Sequence, residues 1–522
     1  MYIIVHTVML VEPRHGHPNR KPVMGERLPF SLMPPCEQSG TRQTLGKPVK
    51  GTQCHPVNTK VSSWQSKEAP APFLPAAQLP RVPDEAISQS CGPLRLHTAQ
   101  RDGVPEMLSN ATFWSPWLKR SRVRVELNHS RTAEQKRRRC ETRLRAWKPR
   151  ICQLSHVYVA GSSQLIFNQS AYFGPAPRVS ESIHPLGVGP VQARTKHAVL
   201  TRNEYGAGYY HMLFDTLASL AFLWPALKED PSATLVLNPC TTGREQLRTK
   251  LGASDASRSK APNINQACEE RPYATELLAA LGVPPERVLR WPYTRQLNGP
   301  AIQADHASFM CAHPWQPTFH RGFWYVRQMR HLLHAAFSLP QFDVATALKA
   351  SAAVKEKEQR LLLLISRNGC AKDGCDSSRY VRGGPALLSA LRRGFRSDRV
   401  VGFTGAEPVA EQAKLFHGAA LIAGPHGAAF ANAIWCRAGT SLVEFHRLNW
   451  HSEPNSPLYA LLARNLQLRH WVIADTSSGS HMRGYVIAPR TLVETARTAL
   501  AVAEGQVDDK EYAVELPREE WL

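Results

Sequence analysis

The chain has 522 residues, of which 43% are hydrophobic, with 40 prolines, 11 cysteines and a net charge of +22. That length supplies two or three domains of roughly 100–200 residues with enough apolar side chains to fill their cores, which excludes a wholly disordered or fibrous chain. The charge is unevenly spread: residues 1–150 hold 25 Lys and Arg against 11 Asp and Glu. A nucleic-acid-binding role would rest on that excess alone, because no base-stacking aromatic pattern accompanies the run Lys136–Arg139.

Residues 1–105 are rich in Pro, Ser, Gln and His, and such a composition buries too little apolar surface to offset chain entropy. The reading is a mostly disordered, basic region over 1–150, with folded structure expected from about Val157. The apolar start Met1–Val11 is shorter than the ~20 residues of a membrane span and lacks the basic n-region of a signal peptide. Asn110, Asn128 and Asn168 stand in glycosylation sequons. The cysteines show no repeated C-x-x-C spacing, which argues against a zinc module and leaves a disulfide or two open, with Cys370 and Cys375 or Cys240 and Cys268 as loop-closing candidates.

A first α/β lobe is expected over 151–344. Short β-type runs at Val157–Ala160 and Gln164–Phe167 precede an apolar helical stretch from Tyr209 to Leu227, a buried strand at Thr234–Leu237, a short helix at Glu276–Leu281, a strand at Val288–Trp291 and a long helix from Gly322 to Phe337. A second lobe is expected over 345–490, opening on Leu361–Ile365, a continuous apolar run of the kind buried on both faces of a parallel sheet. Helices at Pro385–Arg393, Val409–His417 and Ala428–Trp435 then alternate with strands at Val400–Phe403, Ala420–Ala423 and Ser441–Phe445, the order of a doubly wound sheet. Residues 491–522 read as a C-terminal helix and tail.

Ligands of such sheets bind outside the carboxyl ends of the strands. Gly424-Pro-His-Gly-Ala428 joins a strand to a helix there, so its backbone N–H groups form an anion site suited to a diphosphate, although the spacing is neither that of a dinucleotide fingerprint nor that of a P-loop. His426, Gly427 and Ala428 line that turn, and Asn432 is the polar residue of the following helix. Arg367 follows a buried strand, and Lys372 and Arg379 lie in the loop beyond it, each a cation for phosphate. Glu444 is a carboxylate for ribose hydroxyls. His211 and Asp215, four apart on one helix face, are the candidates for a general base. The blander alternatives are an ordinary strand-to-helix turn, a solvated loop, a solvated strand-end Glu and a buried His–Asp pair.

Together, Tyr209–Asp215, Leu364-Ile-Ser-Arg367, Glu411-Gln412, Leu421–Ala428, Asn432 and Gly439–Glu444 resemble glycosyltransferase family 61, which includes EGF-domain O-linked N-acetylglucosamine transferase, protein O-mannose β-1,4-N-acetylglucosaminyltransferase and plant xylan arabinosyl- and xylosyltransferases. The likeness covers about residues 155–475 and is most specific in the second lobe. It departs from the family where Asn368–Ser378 stands between the Ser-Arg and Arg379-Tyr-Val-Arg382. The resemblance implies a GT-B arrangement of two facing Rossmann-like lobes and inverting, metal-independent transfer from a UDP-sugar donor, with no cofactor, to a protein or polysaccharide hydroxyl. It also implies a secretory placement in the Golgi or endoplasmic reticulum with membrane anchoring. A catalytically inactive sugar-nucleotide or glycan-binding protein of the same fold is the alternative.

Overall fold

The computed structural model describes residues 74–78, 84, 91, 94–100, 132–146, 150–160, 164–167, 170–173, 191–201, 208–237, 272–290, 301–310, 323–340, 359–366, 380–447, 458–475 and 484–516. In chain order the elements are β1 (Leu74–Gln78), β2 (Leu94–His97), α1 (Ala133–Ala146), β3 (Arg150–Ala160), β4 (Gln164–Phe167), β5 (Ser170–Phe173), β6 (Val191–Leu200), α2 (209–229), β7 (Ala233–Leu237), α3 (Pro272–Ala280), β8 (Val288–Arg290), β9 (Ala301–Met310) and α4 (Phe323–Ala336). The second lobe carries β10 (Leu361–Ile365), α5 (Gly384–Gly394), β11 (Arg399–Phe403), α6 (Val409–Gly418), β12 (Ala419–Pro425), a 3-10 helix (Ala428–Trp435), β13 (Ser441–Arg447), α7 (Leu458–Asn465), β14 (Arg469–Asp475), α8 (Pro489–Ala503) and β15 (Ala513–Leu516).

Two α/β lobes are present, as expected. The second sheet runs β11-β10-β12-β13-β14-β2-β15 and is parallel except for β15. Its inner strands are largely buried on both faces, every residue of β10 included, which is what helices on both sides of a sheet require. The first sheet differs from a purely parallel one: β9, β6, β7 and β8 are parallel neighbours, but β9 also pairs antiparallel with β3, and β3, β4 and β5 form an antiparallel meander with β1 alongside β3. Short connections such as that from β4 to β5 permit only antiparallel pairing, since a parallel pair needs a crossover of a dozen residues or more.

Helix α2 extends past the expected Leu227 to Glu229, with Pro225 inside it. Its second turn, Met212–Leu217, is π-helical. The apolar stripe of Met212, Leu213, Leu217, Leu220 and Leu223 is buried in the main core, and burial of roughly 1.5–3 kcal/mol per large side chain outweighs the lost hydrogen bond at the proline.

Within 1–150, the described residues 74–78, 94–100 and 132–146 form ordered elements where disorder was expected. Strand β2 inserts between β14 and β15, where His97 pairs with Trp471 and Leu96 is fully buried. Just beyond it, Gln100 clamps the backbone of Ala474, accepting from its N–H at 2.7 Å. A disulfide joins Cys91, next to β2, to Cys140 on α1, and Cys152 is also disulfide-bonded. Without β2 the β14 edge would offer unpaired backbone groups. Strand β15 places the C-terminal tail in the same sheet. The cysteines Cys240, Cys268, Cys370 and Cys375 and the three sequon asparagines lie outside the described residues.

Candidate active site

The second sheet steps from β10 outward to β11 and then returns to β12 on the other side of β10, so its topological switch lies between β10 and β12. Crevices at such a point, beyond the carboxyl ends of the strands, are where open α/β sheets take ligands. Ser366 follows β10 there, its N–H bonded to the Phe403 carbonyl. Gly424 sits beside it on β12, and a Cβ at Gly424 would stand 2.6 Å from Cβ of Ile365. Glycine is thus what lets the two strands approach. The turn then passes through His426, whose N–H bonds to the Phe445 carbonyl at 3.3 Å, and Gly427 into the 3-10 helix that begins at Ala428.

Glu444 is at the centre of β13, not at its end, and is 1% exposed. Its Oε1 lies 2.5 Å from His426 Nδ1, and its Oε2 lies 2.6 Å from His470 Nε2 and 3.0 Å from His446 Nε2. Burial acts to raise the Glu444 carboxyl, but the imidazoles of His446 and His426 outweigh it and hold the group well below the usual carboxylate range. Burial also pushes His470 down, with Glu444 opposing. Both carboxylate oxygens are committed, so a ribose hydroxyl would have to displace an imidazole to reach them. His446 and His470 are absent from the sequence-based site. The usable signal was Glu444-x-His446 in an apolar strand, since residues two apart share a face. His470 is paired opposite Leu442, on that same face.

His426, Glu444 and His446 bring three potential metal-ligand atoms within 4.8 Å of one another. The separations of 2.5 and 3.0 Å are those of direct hydrogen bonds.

Asn432 is not turned to a ligand. It is 1% exposed, its Oδ1 accepts from Tyr209 Oη at 2.6 Å and Trp435 Nε1 at 3.1 Å, and its Nδ2 donates to Gln412 Oε1 at 3.0 Å. Both of its polar atoms are engaged, with Tyr209 of the first lobe, Trp435 of its own helix and Gln412 of α6, so it acts as a fastener.

His211 is half-buried at the start of α2. Its ring meets Tyr210 edge-on at 5.3 Å, Tyr210 meets Tyr459 at 6.2 Å, and Tyr459 meets His426 at 5.3 Å. Tyr459 also donates from Oη to the Gly427 carbonyl at 2.6 Å. Aromatic rings therefore link the candidate base of the first lobe to the turn of the second. The backbone of Asp215 lies in the π-helical turn of α2, a feature common at functional sites. Arg367, Lys372 and Arg379 lie outside the described residues.

Residues 209–443 match the family model described as Glycosyltransferase 61. This stretch belongs to glycosyltransferase family 61. The match runs from the first turn of α2 to the residue before Glu444, so it reaches into both lobes and covers the switch-point turn. A comparison with curated proteins finds no match. Among solved structures, a glycosyl transferase of family 9 from Veillonella parvula is similar at 10% identity and a TM-score of 0.27, over 60% of this chain and 98% of that one; a likeness at that level carries no argument.

Proposed function

We propose that this glycosyltransferase is a GT-B-type, inverting and metal-independent enzyme that moves a sugar of the pentosyl or N-acetylglucosaminyl type from a UDP-sugar to a hydroxyl of a protein or polysaccharide. The observation that carries the reading is the Gly424–Ala428 turn at the switch point of the second sheet, backed by the buried Glu444–His426 pair. Backbone N–H groups at the start of a helix, with a neighbouring imidazole, supply the electrostatic stabilisation of a leaving diphosphate that other enzymes obtain from a metal ion. His211, connected to that turn through Tyr210 and Tyr459, is the base proposed for the acceptor hydroxyl, with Asp215 the alternative on the same helix. Arg367 and Arg379 are proposed as diphosphate ligands from their positions beyond β10.

A secretory location is part of the proposal. It is supported by the Cys91–Cys140 disulfide and a second one at Cys152, since such bonds persist in oxidising compartments. Among the described residues no helix is long and apolar enough to cross a membrane.

The test uses the full chain in EDTA, titrated with UDP, UDP-N-acetylglucosamine, UDP-xylose and UDP-arabinose. Saturable binding that is weakened in His426→Ala, with UDP released on turnover of one donor, is the expected result. Binding that needs added Mn²⁺ overturns metal independence. Binding without turnover on any acceptor favours the inactive sugar-nucleotide-binding alternative, and a folded chain that binds none of the four overturns the site.

A further inference from the structure

Burying an ionised carboxylate costs several kcal/mol unless it is paired and hydrogen-bonded, and Glu444 meets that cost with three imidazoles. An ionised carboxylate only accepts hydrogen bonds, so each nitrogen facing it carries its proton: Nδ1 of His426, Nε2 of His446 and Nε2 of His470. The second nitrogen of His470, Nδ1, is buried with no partner, which suits a bare lone pair and not an N–H. His470 is therefore neutral, with its tautomer set.

The same reasoning sets the ring of His426. Nδ1–H is turned inward to Glu444, so Nε2 is turned the other way. Among the described residues Nε2 makes no hydrogen bond, and the side chain keeps 16% of its exposure. The ring is further packed by His446 at 5.7 Å and Tyr459 at 5.3 Å, so it has little freedom to flip.

We propose that Glu444, itself held by His446 and His470, is a positioning residue that locks His426 with Nδ1–H inward and Nε2 presented to the diphosphate of the nucleotide sugar. The inference rests on the nucleotide-sugar reading of the site. Its consequence is a division of labour: Glu444 touches no substrate, and His426 meets the anion with a ring whose orientation is set before binding. When an anion binds at Nε2 the ring takes up its second proton there from solvent, and the buried carboxylate balances the charge, as the aspartate of a Ser-His-Asp triad does for its histidine. At metal-ligating histidines, carboxylate partners placed in this way change affinity or activity about 10–100-fold when removed, and that range sets the scale here.

The test is ¹⁵N NMR on the histidine-labelled full chain, with His426→Asn assigning the ring and UDP as the probe. The expected free form shows His426 protonated at Nδ1 and bare at Nε2, and UDP adds the Nε2 proton. Glu444→Gln should remove that signature and weaken UDP binding about tenfold, with Glu444→Asp restoring part of both. A free wild-type ring protonated at Nε2 and bare at Nδ1, or a folded Glu444→Gln chain with unchanged signature and UDP affinity, overturns the positioning role. So does one equivalent of metal retained by the purified chain and lost in Glu444→Gln. If the wild type shows the expected tautomer yet ignores UDP, the nucleotide reading fails; if UDP binds to a ring of the other tautomer, only the positioning role fails.

Discussion

Tyr209 Oη donates to Asn432 Oδ1 at 2.6 Å, across 223 residues of sequence and from the first lobe to the second. Burial pushes the Tyr209 hydroxyl up, so it stays a donor at all ordinary pH values. Tyr209→Phe leaves Asn432 Oδ1 with the Trp435 indole and should cost about 1 kcal/mol, whereas Asn432→Ala strands the Tyr209 hydroxyl, the Trp435 N–H and the Gln412 amide and should cost about 2–4 kcal/mol. Denaturant melts of the two variants check the order, and equal costs would remove Asn432 from its fastening role.

Gly424→Ala forces a Cβ to within 2.6 Å of Ile365 Cβ and 3.3 Å of the Ile365 carbonyl oxygen. Strands β10 and β12 must part, at a cost of about 1–3 kcal/mol, and the turn beyond β12 moves with them. Nucleotide binding should fall along with the melting temperature. A variant as stable as the wild type would mean that the strands separate freely there.

The N-terminal region should be needed for the second lobe. A fragment beginning at residue 150 lacks β2, α1 and both cysteines of the Cys91–Cys140 disulfide, so it loses the cover over β14 and that covalent link. It is expected to melt lower and to aggregate more than a fragment beginning near residue 85, and reducing the longer fragment should lower its melting temperature as well, since native disulfides commonly contribute about 2–5 kcal/mol. Light scattering during thermal melts reads both effects.

His334 on α4 donates from Nε2 to the Ile434 carbonyl at 3.0 Å, which ties the helix leading out of the first lobe to the 3-10 helix of the second. Burial, with Arg330 nearby, pushes it down to about 4. The ring is neutral in the folded chain while the unfolded chain takes a proton below about 6.5, so its contribution is complete above that pH and is lost as pH falls from 6.5 toward 4. The full window is worth about 3 kcal/mol. His334→Gln should flatten this part of the stability profile measured by urea unfolding across pH 4–7; an unchanged slope would assign the acid loss to other groups.

Glu276 on α3 accepts from the Val409 N–H at 2.5 Å, so a carboxylate of the first lobe caps helix α6 of the second. Glu276→Ala leaves that N–H without its partner and removes a favourable charge at a helix N-terminus, costing about 1–2 kcal/mol. Hydrogen exchange of the first turn of α6 should rise more than that of α5, and uniform exchange would contradict the capping role.

The sequence was legible where pattern is local. Leu361–Ile365 is a strand at its expected limits, and the alternation through Ser441–Phe445 corresponds to real elements with shifts of a residue or two at most ends. The turn Gly424–Ala428 was visible as an anion-binding connection because a strand running into a helix through glycines has that chemistry wherever it occurs. By itself, then, the sequence determined the α/β class of both lobes, the position of the switch-point turn and the family of residues 209–443.

Tertiary structure alone decided the partners. Leu94–His97 is four residues in a Pro- and Ser-rich stretch, too short for any periodicity, and is a strand only because the β14 edge receives it. Glu444 reads as a strand-end carboxylate for ribose hydroxyls until β12 and β14 bring His426 and His470 to it, and Asn432 reads as a ligand contact until Tyr209 arrives from the other lobe. Periodicity records which face of an element is apolar, whereas which polar group meets which depends on contacts between segments as many as 374 residues apart, and no local pattern encodes those distances.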